Sequence, residues 1–291
     1  MIIDSHVHIS YLGKKKKNLF DVKTELLASM KKYGIGYSIA IPDNVPNPQC
    51  AGIKTLAKII KEEKQFFSMG TINIFEDLNG QIKKLENLVI AKKICAIKLF
   101  PGHDPFYPID ERCLPVYDLC VKYDIPVVVH TGANTGDMDC AKYNDPKYLV
   151  KIAKKYKKIK IVIAHYFWPR MEYCYKLTKD LKNIYYDTSA MADPEVVEAT
   201  GGWDKVLQVL KKTVLKKPDN VLFGTDWPMC PVKKHIQMIK DLKLDSKMEK
   251  RFSFLMRLIC INWKFYDVCH IVNYKKIKNK ITTTVISCCF L

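Results

Sequence analysis

Several features are missing from this 291-residue sequence, and each absence excludes something. No uncharged apolar run approaches the roughly 18 residues that a membrane-spanning helix needs, so no membrane partner is expected. The opening residues, MIIDSHVHI, lack a basic stretch followed by a long apolar one, so no secretory signal is expected. There is no Ser/Gly linker, no internal repeat, and no Gly-rich phosphate loop after the first apolar run. Paired cysteine spacing is absent too. The 11 cysteines are an odd number in a chain too large to need covalent staples, so reduced thiols and a cytoplasmic protein are expected. Acid is in short supply: 30 Asp and Glu stand against 48 Lys and Arg, a net charge of +18. Such a balance suits an anionic partner only where the cations cluster. Here the lysines are scattered and Lys14 to Lys17 is the one long run, which reads as a solvated lysine-rich surface without a nucleic-acid partner.

What is present is a large core. Hydrophobic residues make up 48% of the chain and charged residues 27%, which excludes wholesale disorder. Apolar, β-branched runs recur at Ile2 to His8, Tyr37 to Ile41, Phe66 to Ile72, Cys95 to Phe100, Pro126 to His130, Lys160 to His165, Asn183 to Asp187 and Val221 to Asp226. Near-continuous runs such as VVVH and KIVIAH suit parallel strands covered on both faces. Between them lie helical stripes: Val22, Leu26 and Met30, with Gly34 as a stop; Ile53, Leu56 and Ile59; Ile82, Leu85 and Leu88; Leu149, Ile152 and Tyr156; Met171, Cys174, Leu177 and Leu181; Val206, Leu210 and Val214; Ile236, Ile239 and Leu242. Between Glu111 and Tyr123 the pattern is less regular, and Pro115 belongs in a first turn. Strand and helix alternating in this way predict a closed (β/α)8 TIM barrel over residues 1–250, with a doubly wound open sheet as the alternative.

The remaining residues, 251–291, differ in kind. From Phe252 onward Asp267 is the only acid, four of the 11 cysteines fall here, and the apolar residues keep no clean period. A closing helix with a tail of uncertain order is one reading; a segment foreign to the fold, from a frameshift or read-through, is another. The ending CCFL is a weak match to a prenylation box at Cys288.

Chemistry in such a barrel collects at the carboxyl ends of the strands. That edge carries His6 and His8, then Asp43, Lys98, His130, His165, Asp187 and Asp226. His6 and His8 are two apart on a strand, so both imidazoles face one side, here the barrel interior. Alone, such a pair is as readily structural as metal-binding, a strand-end histidine is usually a core residue, and a buried aspartate often caps a loop. Together, His6, His8, His130, His165 and Asp226 on one rim point to a divalent cation. Asp226 would then act as general base and His165 would steady developing oxyanion charge. Asp187 reads either as the carboxylate that orients a ligand or as a loop cap. His103, Arg170 and Trp227 are candidate substrate contacts: a loop imidazole, a guanidinium for a carboxylate, and a pocket wall. Loop solvation or helix-start packing would serve them equally. His235 and His270 fall outside the pattern and take no role.

The segments IDSHVHI, PVVVHTG, IVIAHYFWP and GTDWPM resemble the amidohydrolase superfamily of metal-dependent barrels. AIKLFPG resembles its amidohydrolase-related branch (amidohydrolase 2), and the likeness covers roughly residues 1–250. The resemblance implies a cation held by His6, His8, His130 and Asp226, with His165 beside the reacting water or substrate. Zinc is the first expectation and manganese or iron the alternatives. One ion is favoured; two would follow if Lys98 were carboxylated, as the fourth-strand lysine is in binuclear relatives. Otherwise Lys98 binds a substrate carboxylate or pairs with a neighbouring acid. The resemblance implies a hydrolase acting on a small amide, ester or lactone with water activated by the cation. The alternative is a non-oxidative decarboxylase similar to aminocarboxymuconate semialdehyde decarboxylase. A nuclease like the TatD-type DNases fits less well, because those carry a glutamate motif where AIKLFPG stands, and a barrel that has lost activity is a fourth reading. Small molecules are the expected partners, and a homo-oligomer stays open.

Overall fold

The computed structural model describes residues 2–11, 16–45, 47–134 and 137–246. The expectations for residues 251–291, including Cys288 and His270, lie outside them. The strands are β1 (Ile2–Val7), β2 (Ile35–Ala40), β3 (Phe66–Ser68), β4 (Gly70–Thr71), β5 (Ile97–Leu99), β6 (Val127–Val129), β7 (Ile161–Ile163), β8 (Ile184–Asp187) and β9 (Val221–Leu222). Every pairing is parallel, in the orders β1-β2-β3 and β4-β5-β6-β7-β8-β9. Only Met69 separates β3 from β4. Its amide bonds to Ala40 O at 3.0 Å and its side chain enters the interior cluster, so the two are halves of one broken barrel strand. The ring closes between its ends: Ser5 N donates to Phe223 O and His8 N to Trp227 O, both at 2.7 Å, and Asp226 N donates to His6 O at 2.9 Å. The molecule is thus the expected TIM barrel, not the open sheet.

Alternation along each strand divides the core in two. Val127 and Val129 point out to the helices while Val128 points in; Ile161 and Ile163 point out while Val162 points in; Ile97 and Leu99 point out and leave Lys98 inside. The helices are α1 (Leu19–Tyr33), α2 (Ile53–Ile60), α3 (Leu78–Ile90), α4 (Leu114–Tyr123), α5 (Pro146–Lys155), α6 (Met171–Thr178), α7 (Pro194–Thr200), α8 (Trp203–Lys216) and α9 (Val232–Asp241). Their ends follow local chemistry. Asn18 accepts Phe20 N before α1, and Gly34 ends it at φ 70°. In α5 and α7 an Asp-Pro pair starts the helix: Asp145 accepts Lys147 N, Asp193 accepts Glu195 N, and the following proline needs no donor. Pro115 sits in the first turn of α4.

One stripe is corrected and another extended. In α6 the buried face is Met171, Cys174 and Thr178, whereas Leu177 is exposed and Leu181 lies past the helix end. Thr178 can be buried because its hydroxyl bonds to Cys174 O and to the Tyr186 hydroxyl. In α9 the most buried residues are Val232, His235 and Met238, while Ile236 and Ile239 pack partly buried against the core and Leu242, just past the helix, is buried. His235, given no role from sequence, is a packing residue whose Nε2 bonds to Thr188 O at 3.2 Å. None of the cysteines among the described residues is in a disulfide, and none of the described helices is long and apolar enough to cross a membrane.

One glycine is decisive. Gly132 follows β6 at φ +89°, and a Cβ there would lie 2.6 Å from Trp168 O and 2.8 Å from Trp168 N. Both the backbone hand and the contact forbid a side chain. Gly132→Ala is therefore expected to cost about 3 kcal/mol and to lower the melting temperature by roughly 5 °C or more. An unchanged thermal melt would contradict this.

Candidate metal centre

β1 brings His6 to the carboxyl end of the barrel with no exposed surface. Its Nδ1 lies 2.6 Å from Asp187 Oδ2 at the end of β8. Its Nε2 is buried without a hydrogen-bond partner, 3.4 Å from Asp226 Oδ1. His8 reaches the same oxygen from the other side, Nε2 to Oδ1 at 3.5 Å. The other oxygen, Oδ2, is 3.9 Å from His165 Nδ1. One ligand atom each of His6, His165 and Asp226 lies within 4.8 Å of the others. His130 stands one place further out among the described residues. Its ring is 4.8 Å from that of His165 and 4.3 Å from that of His103, and its Nε2 is buried and unpartnered.

Local sequence explains how these side chains are aimed. The chain reverses after β7 through three consecutive non-glycine residues of left-handed backbone, His165 (φ 59°), Tyr166 (51°) and Phe167 (56°). Each costs about 1 kcal/mol or more, so something must hold the turn. Thr131 of the HTG segment does so: its hydroxyl donates to Ala164 O at 2.6 Å and accepts Phe167 N at 2.9 Å. Asp226 is also left-handed, at φ 63°. Its neighbour Thr225 is clamped by Asp4 of IDSHVH, with Thr225 N to Oδ1 at 3.0 Å and Thr225 Oγ1 to Oδ2 at 2.7 Å. The motif aspartate thus ties the first strand to the last.

Electrostatics follow from burial. Burial pushes the His6 imidazole below its ordinary range, with Lys98 adding to the effect and Asp187 opposing it. Burial takes His165 down to about 3 against the pull of Asp226. It takes His130 well below its usual value, helped by the neighbouring imidazoles of His103 and His165. These rings are neutral at neutral pH, the form that ligates metals. Burial alone would raise the carboxyls of Asp187 and Asp226. Both carboxyls nevertheless lie below their ordinary range, the attraction and hydrogen bond of His6 opposing burial at Asp187, and the attraction of His165 with the hydrogen bond of His8 opposing it at Asp226.

The site opens into a cavity of about 420 Å³. Lys98, His103, His130 and His165 line it with Phe100, Trp168, Val196 and Met229. Asp43 lines it too, but its Oδ1 is engaged by Asn44 N at 2.9 Å. Lys98 is fully buried, and its Nζ has no hydrogen-bond partner among the described residues; it lies 5.3 Å from the Phe100 ring centre. The expected alternative, an ion pair with an adjacent acid, is not made. His103 lies on the loop after β5 at the cavity mouth, exposed, its ring packed edge to face with that of His130.

Two expected substrate contacts lie elsewhere. Arg170, before α6, is exposed with its guanidinium 4.3 Å from the Tyr173 ring centre and does not line the cavity, because the reversed turn carries it outward. Trp227 walls a smaller neighbouring cavity with Ser10, Tyr11 and Pro228. The tryptophan in the main cavity is Trp168. Ser189 was missed outright. It bonds both Asp187 and His165, and its one sequence signal is its place two residues after Asp187 in YYDTSA.

The family model described as Amidohydrolase, of the amidohydrolase 2 type, matches residues 3–251. The chain belongs to the amidohydrolase family. No curated protein matches the sequence of this amidohydrolase. Among solved structures it is similar to an uncharacterized TIM-barrel protein from Bordetella bronchiseptica, at 18% identity and TM-score 0.71 over 90% of this chain and 98% of the other. It is similar to 2,6-dihydroxybenzoate decarboxylase from Rhizobium, at 13% identity and TM-score 0.63 over 88% and 98%. A third is a probable 2-pyrone-4,6-dicarboxylic acid hydrolase from Acinetobacter baumannii with citric acid bound, at 13% identity and TM-score 0.59 over 86% and 95%. At these identities the likeness establishes the fold.

Proposed function

We propose that this amidohydrolase holds one divalent cation, zinc before manganese or iron, and hydrolyses a small amide, ester or lactone. The observation that carries the reading is the orphaned Nε2 of His6, 3.4 Å from a carboxylate oxygen. Its Nδ1 is given to Asp187, so Nε2 holds a lone pair that faces an anion. Two electron-rich atoms buried face to face call for a cation between them. His6 and Asp226 would hold it, with His8, His165 and His130 around them as further donors. Such a cation lowers the pKa of water and polarises a carbonyl.

The protein's own groups supply the rest. Asp226, ionised, accepts the proton of the attacking water and passes it to the leaving group. His165 accepts a hydrogen bond from the reacting water. Lys98 is the only lysine or arginine lining the cavity among the described residues, which favours a substrate bearing a carboxylate. The walls of Phe100, Trp168 and Val196 exclude water around the apolar part of the substrate.

A second reading, non-oxidative decarboxylation, is supported by the likeness to the Rhizobium decarboxylase, with the same groups serving a lyase. One assay separates them. Zn²⁺-loaded protein is offered a panel of small lactones, esters, amides and aromatic carboxylates, with acid release from the lactones and esters, amine release from the amides, and carbon dioxide release followed in parallel. Acid or amine release without carbon dioxide supports hydrolysis; carbon dioxide release overturns it in favour of the lyase.

A further inference from the structure

The hydroxyl of Ser189 has one hydrogen to give and two lone pairs to offer. It contacts Asp187 Oδ1, His165 Nδ1 at 2.8 Å and the backbone N of His165 at 3.3 Å. The backbone N–H can only donate to it. Asp187 Oδ1 also takes the backbone N–H of Ser189 at 2.7 Å, and Oδ2 takes His6 Nδ1 at 2.6 Å. An ionised carboxylate can only accept, so the single hydrogen of Ser189 goes to Asp187. The Ser189 oxygen is then an acceptor towards His165, and His165 Nδ1 must carry a hydrogen. His6 Nδ1 carries one for the same reason.

We infer that Asp187 fixes the tautomers of two imidazoles elsewhere on the rim, His6 on β1 directly and His165 in the turn after β7 through the Ser189 hydroxyl, leaving Nε2 as the free nitrogen of both. Asp187 and Ser189 are positioning residues. His165 Nδ1 lies 3.9 Å from Asp226 but is occupied by its own hydrogen, so His165 can offer only Nε2 to a cation or a substrate. Thr188 between them anchors the tripeptide to the strand leading to Asp226. Its Oγ1 donates to Gly224 O at 3.0 Å and accepts Gly224 N at 3.1 Å. The segment DTS therefore sets a histidine of β1 and one of the turn after β7 from one place. The consequence for cation binding rests on the reading proposed above; the tautomers do not.

The test uses metal-free, full-length protein labelled with ¹⁵N-histidine, observed by long-range ¹H–¹⁵N correlation near neutral pH. The wild type is expected to show His6 and His165 protonated at Nδ1 and free at Nε2. Ser189→Ala should release His165 into a mixture or the opposite tautomer and leave His6 unchanged, while Asp187→Asn should alter both. Calorimetric titration with Zn²⁺ should find Asp187→Asn binding about 10–100-fold more weakly than wild type. A wild-type His165 with its hydrogen on Nε2, or an unchanged His165 in Ser189→Ala, overturns the inference. The wild-type spectrum decides even if a variant fails to fold. A wild type that takes up no Zn²⁺ yet shows these tautomers defeats the cation reading alone.

Discussion

Asp226→Asn is expected to lower kcat by about 10²- to 10⁴-fold, the contribution of a general base, while KM changes by less than about threefold. The carboxylate sits among three imidazoles, 3.4 Å from His6, 3.5 Å from His8 and 3.9 Å from His165, and lies well below the usual carboxylate range. An amide in its place cannot take a proton. Asparagine suits the site sterically, because it tolerates the left-handed backbone that Asp226 adopts at φ 63° better than other residues. The fold should therefore survive. The assay is run with saturating Zn²⁺, so that weaker cation binding does not masquerade as slow chemistry. A variant within about threefold of wild-type turnover would remove Asp226 from proton transfer.

The second large effect is on stability. Lys98→Met should make the metal-free protein more stable. Burial holds the Lys98 amine at about 8, against 10.5 for a free lysine, despite the pull of Asp187 and Asp226. A folded-state value below the unfolded one means that the unfolded chain binds the proton more tightly. The cost to folding is fully present below pH 8, shrinks between 8 and 10.5, and is gone above. That difference corresponds to about 3 kcal/mol near neutrality. Methionine fills similar volume without charge, so the melting temperature should rise by roughly 5 °C or more at neutral pH, and the gain should narrow as pH rises through 8 to 10.5. Lys217 makes the contrast. Its amine is also held at about 8, yet it donates to Leu181 O at 2.6 Å and Ile184 O at 2.8 Å. Lys217→Met loses both of those hydrogen bonds, although Asn220 Nδ2 still donates to Ile184 O and Ile184 N to Leu181 O, and should gain less stability than Lys98→Met. A Lys98→Met variant that melts lower than wild type would mean that the Lys98 ammonium repays its burial within the fold. Its retention as an unpaired buried cation fits a site that gives up stability for binding.

Much of this was legible in the sequence because parallel strands covered on both faces must be apolar almost throughout. All the expected runs became barrel strands, the third of them broken at Met69. The rim residues were legible because strand ends and barrel topology fix where they fall. His6, His8, His130, His165 and Asp226 do gather at one mouth. What escaped was direction after the strands end. Arg170 and Trp227 follow left-handed residues, His165 to Phe167 and Asp226, that swing the chain in a way no propensity reveals. Cross-strand contacts escaped as well: Ser189 reads as a loop serine until β7 and β8 are placed side by side. The buried face of α9 includes His235, which no apolar pattern reveals, because a buried histidine looks polar and is satisfied here by a carbonyl far away in sequence.

The most direct test of the account is elemental analysis of the purified full-length protein beside the His6→Ala, His8→Ala double variant. About one equivalent of divalent cation is expected in the wild type and essentially none in the variant. Circular dichroism should show the variant still folded, though less stable because Asp187 loses its partner. A wild type that is metal-free and cannot be reconstituted, or a variant that binds as well as wild type, would contradict the account.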